Sequence, residues 1–539
     1  MEKHRNATNH DTGRHTPGPI AGSPKSIFVI LCISLFAACG GTQSSPASKL
    51  AAATPPAAST APPAPAILDL PRSRGGMLAR RLLDAVNSGK DEVLRAFLKE
   101  HLGEHALELA PFDDWFSYFH EMAKQSGGVD VVDILPAPRP RGLVFEIRAR
   151  RLNRYAKVVL DVEEQKDALL DFDARLKPDA AAAKAGALPS VAMSEQEVAR
   201  VITQRVEKLG AADRFSGAVL VVKGDRVLVR AAQGQADKAF AAPNRIDTKF
   251  NLASMNKMFT AVAIAQLVEK GKLSFEDTLA KVLPDYPNKA FAESVTIHQL
   301  LSHTSGIGGN IFASPVFEHR ERFKRPADYL PLFTKEPAEF PPGARYGYAN
   351  AGFVVLGVVV ERLSGEDYYD YVQNHLFAPA GMRDTASFAW HEATPNRAIG
   401  YAPNENDTFG VLPRQTNLMT LPFRGSPAGG GYSTVADLRA FAAALRGHKL
   451  LGKAMTETVT SPKVEMPYGQ RKYGYGFESR LVHGKEIHGH SGAAPGINGD
   501  LEIFSDGSYI VAVLANYEPP AAQDVAGEIV EFLALQESK

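Results

Sequence analysis

Two low-complexity stretches limit where this chain can form compact structure. From Gly40 to about Pro65 it is built largely of Ala, Pro, Ser and Thr (SSPASKLAAATPPAASTAPPAPA), and an Ala-rich run, PDAAAAKAGALPS, returns at 178–190. Such segments bury too little apolar surface to offset the entropy of ordering them. Folded structure is therefore expected in two units, a small one over 69–177 and a large one over 193–538, with a tether over 40–68 and a linker over 178–192. A hydrophobic content of 45% over 539 residues is enough to fill both cores. Lys plus Arg and Asp plus Glu each number 60, so no global field steers the molecule toward nucleic acid, and that class of partner is set aside.

Ahead of the tether, residues 27–38 (IFVILCISLFAA) form an apolar run too short to span a bilayer, preceded by Lys3, Arg5, Arg14 and Lys25. That is the pattern of a secretory signal over residues 1–39. It ends in Phe36-Ala37-Ala38-Cys39-Gly40, which resembles the lipobox of bacterial lipoproteins, where the cysteine is lipidated after cleavage; the alternative is an ordinary signal cut near Ala38. The expectation is an exported protein held to a bacterial membrane through Cys39, facing the periplasm or exterior. The two cysteines are Cys32 and Cys39, so the mature chain has no disulfide, catalytic cysteine or thiolate metal site.

The small unit reads as three helices (MLARRLLDAV, EVLRAFLKEHL, DDWFSYFHEMAKQ) followed by four strands (VDVVDILPA, GLVFEIRARR, RYAKVVLDVE, ALLDFDARL). Helices on one face of a short antiparallel sheet is the simplest arrangement, and the pattern resembles cystatin-like or NTF2-like domains. Trp115, Phe116 and Phe119 at helical spacing read as core.

The large unit opens with a helix (SEQEVARVITQRVEKLG) and a hairpin turned at Lys223-Gly224-Asp225. It closes with a hairpin turned at Asp506-Gly507 and a terminal helix (DVAGEIVEFLALQ). Strands at both ends with helices between predict one antiparallel sheet assembled from the two termini, an α+β fold.

Three short motifs carry possible chemistry. Ser254-Met255-Asn256-Lys257 precedes FTAVAIAQLVEKG, an apolar helix that ends at Gly271. A serine at its start gains free N–H groups and the positive dipole end, and Lys257, three residues on, reaches the same face. Burial there lowers a lysine's pKa, which lets it take the serine proton. Tyr348-Ala349-Asn350 follows a Pro-Pro-Gly turn and precedes another apolar helix; the phenol can relay a proton, and Asn350 both donates and accepts. Gly489-His490-Ser491-Gly492-Ala493 would set a donor or partly cationic His490 beside a glycine that permits close approach. Each motif is weak alone: Tyr286-Pro287-Asn288 repeats the second in what reads as a surface turn, and His101-Leu102-Gly103 repeats part of the third.

Their order and settings agree. Together with Leu300-Leu301-Ser302-His303-Thr304-Ser305-Gly306-Ile307 and 427–434 (PAGGGYST), they make the large unit resemble the serine β-lactamase and penicillin-binding superfamily, in its class C β-lactamase-like branch of DD-peptidases, D-aminopeptidases and esterases. The resemblance implies a β-lactamase-like antiparallel sheet covered by helices, with a helical subdomain. It makes Ser254 the nucleophile, Lys257 its base partner and Tyr348 the proton relay. Asn350, His490, Gly492 and Ala493 line the substrate site, the N–H groups of Ser254 and Ala493 hold the oxyanion, and His303 is scaffold. His490 stands where β-lactamases carry the lysine of K-T-G, which favours an esterase or peptidase. The expected reaction is acyl transfer to a small ester or a D-amino-acid-containing amide, including peptidoglycan-like material, without metal or organic cofactor. A β-lactamase or DD-carboxypeptidase is the second reading, and a catalytically silent envelope-binding protein the third.

Overall fold

A computed structural model describes residues 66–537 apart from 138–141, 153, 164–165, 178–187, 190 and 468–470. The signal, Cys39 and the tether up to residue 65 lie outside the described residues.

The small unit begins with α1 (Arg74–Asn87), α2 (Asp91–His101), α3 (Glu104–Leu109) and α4 (Phe112–Ser126). Ser73 caps α1 by accepting the Gly76 N–H at 3.2 Å, and Gly127, at φ 64°, ends α4 in the left-handed conformation glycine adopts without penalty. The strands β1 (Val129–Leu135), β2 (Gly142–Ala149), β3 (Tyr155–Glu163) and β4 (Ala168–Lys177) follow as an antiparallel meander in that order. The short helix α3 is an addition to the three helices expected. Trp115, Phe116 and Phe119 are buried in the common core with Ile147 and Val158, and the Trp115 indole N–H donates to Ala106 O at 2.9 Å. They are packing residues, as their spacing implied.

The large unit opens with α5 (Glu195–Ala211), β5 (Gly217–Lys223) and β6 (Arg226–Gln233). Its helical middle includes α6 (Asn256–Glu269), α7 (Asn350–Ser364) and α8 (Val435–Arg446), with a two-stranded ribbon of β7 (Tyr401–Ala402) and β8 (Gln415–Thr416) between the last two. It closes with β9 (Val464–Glu465), β10 (Lys472–Tyr473), β11 (Glu478–Val482), β12 (Lys485–Ala494), β13 (Ile497–Phe504), β14 (Tyr509–Ala515) and α9 (Ala521–Glu537). The main sheet has eight antiparallel strands in the order β9-β10-β11-β12-β13-β14-β5-β6. The last strand β14 thus pairs with β5, joining the two ends of the unit as the sequence pattern predicted.

Alternation along the central strands gives the sheet two buried faces. Ala218, Leu220 and Val222 of β5 pack with Ala512 and Leu514 of β14 against α6 and α8. Val219 and Val221 pack with Val511 and Val513 against α5 and α9. Both faces being covered explains why β5 and β14 read as unbroken apolar runs.

The two units share side chains. Phe409, at the tip of the loop between β7 and β8, is 0% exposed and sits in the core of the small unit. Arg154 donates to Phe409 O at 2.7 Å and Gly410 O at 2.6 Å, and Gln125 donates to Asn406 O at 2.7 Å.

Candidate active site

The turn that carries Ser254 is built under constraint. Ser254 lies in a single 3₁₀ turn, Ala253–Met255, which runs directly into α6. Ala253 has φ 42°, a left-handed conformation that costs a non-glycine residue of order 1 kcal/mol. Neighbours hold it there: the Ala253 N–H donates to Asn251 Oδ1 at 2.9 Å, and its carbonyl accepts the Gly430 N–H at 3.0 Å. Only a glycine fits at 429, since a Cβ there would stand 2.7 Å from Ala253 O.

Lys257, one turn on, is 0% exposed. Its Nζ is 3.2 Å from Ser254 Oγ, 2.8 Å from Asn350 Oδ1 and 2.6 Å from Ala428 O, and it lies 4.8 Å from the centre of the Tyr348 ring. Burial moves its pKa well below the usual lysine value, a shift that the negative field of Glu478 only partly opposes. An uncharged amine in this position donates to Asn350 Oδ1 and Ala428 O. Its lone pair is then left for the Ser254 hydroxyl proton.

Tyr348 approaches from the other side, with its hydroxyl 2.8 Å from Ser254 Oγ. The segment carrying it is fixed by His303. The His303 carbonyl accepts the Gly347 N–H at 2.8 Å, its Nδ1 accepts the Ala349 N–H at 3.1 Å, and its ring centre lies 4.3 Å from that of Tyr348. Because Nδ1 accepts, the ring proton resides on Nε2. Burial keeps this imidazole neutral. The scaffold reading of His303 therefore holds, and its contacts show which part of the site it braces.

Gly492 is the point where the sheet meets the serine turn. A Cβ at 492 would lie 2.1 Å from Leu252 O and 3.3 Å from the Ala253 side chain, so this strand packs against the backbone just ahead of Ser254 only because residue 492 has no side chain.

His490 differs from expectation. It is buried, its Nδ1 lies 2.6 Å from Ser491 O and its Nε2 lies 2.9 Å from the Tyr473 hydroxyl. With Nδ1–H donating to a carbonyl, Nε2 accepts from the phenol. Burial pushes the pKa down to about 4, against the opposing pull of Glu478, so the imidazole is neutral at physiological pH. The partly cationic donor expected at this position is replaced by a neutral ring tied to Tyr473.

The repeats of the motifs fall elsewhere. Tyr286 is buried against Phe291 rather than placed in a surface turn, and Asn288 caps the next short helix through the Phe291 N–H at 3.1 Å. His101 lies in the small unit, with Nδ1 3.0 Å from Asp167 O. The Ala428 carbonyl is the contact that motif reading missed. The glycines at 429–431 signalled a close backbone approach there, but nothing local showed that a lysine 171 residues away was the partner.

A serine hydroxyl contacted by a desolvated amine and a phenol, beside strand β12 of an antiparallel sheet that lies between two helical layers, defines a serine acyl-transferase site. The chain belongs to the Beta-lactamase family, whose sequence profile matches residues 198–536. Penicillin-binding protein 4* of Bacillus subtilis strain 168 is 31% identical over 325 residues, covering 58% of this chain and 70% of that protein. Among solved structures, the penicillin binding protein from Bacillus halodurans is 36% identical with a TM-score of 0.55, covering 61% of this chain and 98% of that one. The D-stereospecific amidohydrolase from a Streptomyces species is 25% identical with a TM-score of 0.52, covering 61% and 97%.

Proposed function

We propose that this protein is a serine hydrolase that forms an acyl-enzyme on Ser254 and acts on a small ester or a D-amino-acid-containing amide. The observation that carries the reading is the contact set of Ser254 Oγ, 3.2 Å from the buried Lys257 Nζ and 2.8 Å from the Tyr348 hydroxyl. Ser254 attacks the substrate carbonyl as its proton passes to Lys257, and Tyr348 delivers a proton to the leaving group. The acyl-enzyme ester retains the acyl group on Oγ until water, deprotonated by the same pair, attacks and restores the serine. The N–H groups of Ser254 and Ala493 stabilise the oxyanion of both tetrahedral intermediates.

The substrate class follows from similarity to a D-stereospecific amidohydrolase and from His490. A neutral imidazole engaged with Tyr473 supplies no fixed charge to clamp a substrate carboxylate, which a lysine at this position would supply. That weighs toward esters and amides lacking an anchoring carboxylate. The similarity to penicillin-binding proteins favours a second reading, a DD-carboxypeptidase or β-lactamase.

The same preparation of the full chain, given an aryl ester, a D-amino-acid amide, a D-Ala-D-Ala peptide and a cephalosporin, distinguishes these. Ester and amide turnover that disappears in Ser254→Ala is the expected result. Preferential cephalosporin hydrolysis would favour the second reading, and failure of a fluorophosphonate to label Ser254 in folded protein would favour the catalytically silent one.

Export and lipidation at Cys39 are part of the proposal, supported by the apolar run at 27–38 and the small residues before the cysteine. Incorporation of labelled fatty acid that is lost in Cys39→Ala, with release of the protein from membranes, is the expected outcome.

A further inference from the structure

Beyond Gly489, β12 loses one neighbour. Strand β11 pairs with it from Val482↔Lys485 to Glu478↔Gly489, whereas β13 stays alongside through Gly492↔Gly499, Ala493↔Asn498 and Ala494↔Ile497. The Gly492–Ala493 peptide therefore has β13 on one side and an edge unpaired by β11 on the other, at the place where β12 packs against Leu252 and Ala253.

From the β13 side a side chain reaches that peptide in addition to the strand pairing of Gly492 with Gly499. Asn498 Nδ2 donates to Gly492 O at 2.7 Å. The orientation of the Asn498 amide is itself determined: Oδ1 accepts the Ala522 N–H at 2.7 Å and the Gln523 N–H at 3.1 Å, which only an oxygen can do, so the nitrogen faces Gly492. Nδ2 also donates to Gln523 Oε1 at 3.2 Å. Asn498 is 0% exposed, so none of these bonds competes with solvent.

A peptide group is planar, and in the trans form its C=O and N–H point in opposite directions. In an antiparallel ladder, successive residues likewise direct their polar groups to alternate sides. With Gly492 O fixed toward Asn498, the Ala493 N–H is turned toward the unpaired edge, where a carbonyl bound to Ser254 can receive it. We propose that Asn498 is a positioning residue of the oxyanion site, locking the direction of the Ala493 N–H by holding the Gly492 carbonyl alongside the β12–β13 ladder. The proposal rests on the acyl-enzyme reading above. It assigns Asn498 no contact with substrate. Its chemistry requires an amide, because the residue must accept from the start of α9 and donate to Gly492.

The test uses the full chain with Asn498→Asp and, as a shorter polar replacement, Asn498→Ser. Asn498→Asp keeps oxygens for the α9 N–H groups and removes the donor. The rate of Ser254 labelling by a fluorophosphonate and the kcat and KM for a D-amino-acid anilide are measured beside thermal unfolding. Removing one oxyanion donor costs about 10²–10³ in rate, so a misdirected one is expected to lower labelling and kcat by about tenfold to a hundredfold, with KM within about threefold. For Asn498→Asp, the ratio of variant to wild-type labelling rises as pH falls, because a protonated carboxyl donates again. If Asn498→Asp does not fold, Asn498→Ser gives the same kinetic readout. Variants that melt earlier yet label at the wild-type rate while folded would make Asn498 purely structural and overturn the proposal. Absence of labelling in the wild type would instead reject the acyl-enzyme reading itself.

Discussion

Replacing Gly492 with alanine tests how closely the sheet approaches the nucleophile turn. The new methyl carbon would stand 2.1 Å from Leu252 O and 3.1 Å from its carbonyl carbon. Carbon–oxygen contacts settle near about 3.3 Å, so β12 and the Leu252–Ser254 turn must separate by roughly 1 Å. Backbone atoms cannot rotate aside as a side chain can, and overpacking of this kind costs about 1–3 kcal/mol of stability. The catalytic cost is of similar size, because a misplacement of about 1 Å at a reacting centre lowers rate by about a hundredfold, about 2.7 kcal/mol. Gly527→Ala is the control, since a Cβ there meets nothing within 4 Å and residue 527 lies inside α9. Fluorophosphonate labelling and thermal unfolding of both variants should show Gly527→Ala labelling as wild type and Gly492→Ala labelling about a hundredfold more slowly while folded. Wild-type labelling by a stable Gly492→Ala would mean that the strand does not meet this turn, and the site geometry would fall with it.

Four further outcomes are expected. Acylation needs an uncharged Lys257, whose pKa burial lowers, so its rate rises with pH and levels off well below pH 10.5; a profile still climbing at that pH would contradict the contact set. Between the start of that plateau and pH 10.5 the unfolded chain binds the Lys257 proton and the folded chain does not, so stability rises with pH there. For His490, with its pKa near 4 against an ordinary 6.5, the sign of the pH dependence is the same: stability is complete above about pH 6.5 and falls as acid approaches pH 4, by about 3 kcal/mol. His490→Gln should flatten that part of the urea midpoint against pH, and an unchanged slope would show that His490 is not the group responsible. Phe409→Ala empties a site in the small unit's core and should destabilise that unit by about 3–5 kcal/mol, read by calorimetry as an earlier, separate transition.

The parts of the fold legible in the sequence were those written in local periodicity. Both hairpin turns, the capped helix α5 and the unbroken apolar strands β5 and β14 follow from neighbours within a few residues of one another. Insertion of Phe409 into the other unit's core was not legible, because the loop between β7 and β8 looks like any polar connection. A phenylalanine there has no local signature that separates docking from exposure.

At the site, the same division separates which residues assemble from what state they are in. Ser254 and Lys257 lie on one face because three residues make nearly one helical turn, and Tyr348 and Asn350 flank the start of α7 for a comparable local reason. Charge state depends instead on burial, which is a property of the whole fold. Lys257 and His490 are both cationic types by composition, yet the core around α6 and β12 disfavours the proton on each. For Lys257 this creates the base that Ser254 needs. For His490 it removes a charge that the position was expected to present, so the same effect, burial, that enables attack on a carbonyl at Lys257 weakens recognition of an anionic substrate at His490. Restoring a fixed cation by His490→Lys should therefore raise affinity for a D-Ala-D-Ala peptide relative to its amide. Equal discrimination by the two proteins would show that the carboxylate is read elsewhere.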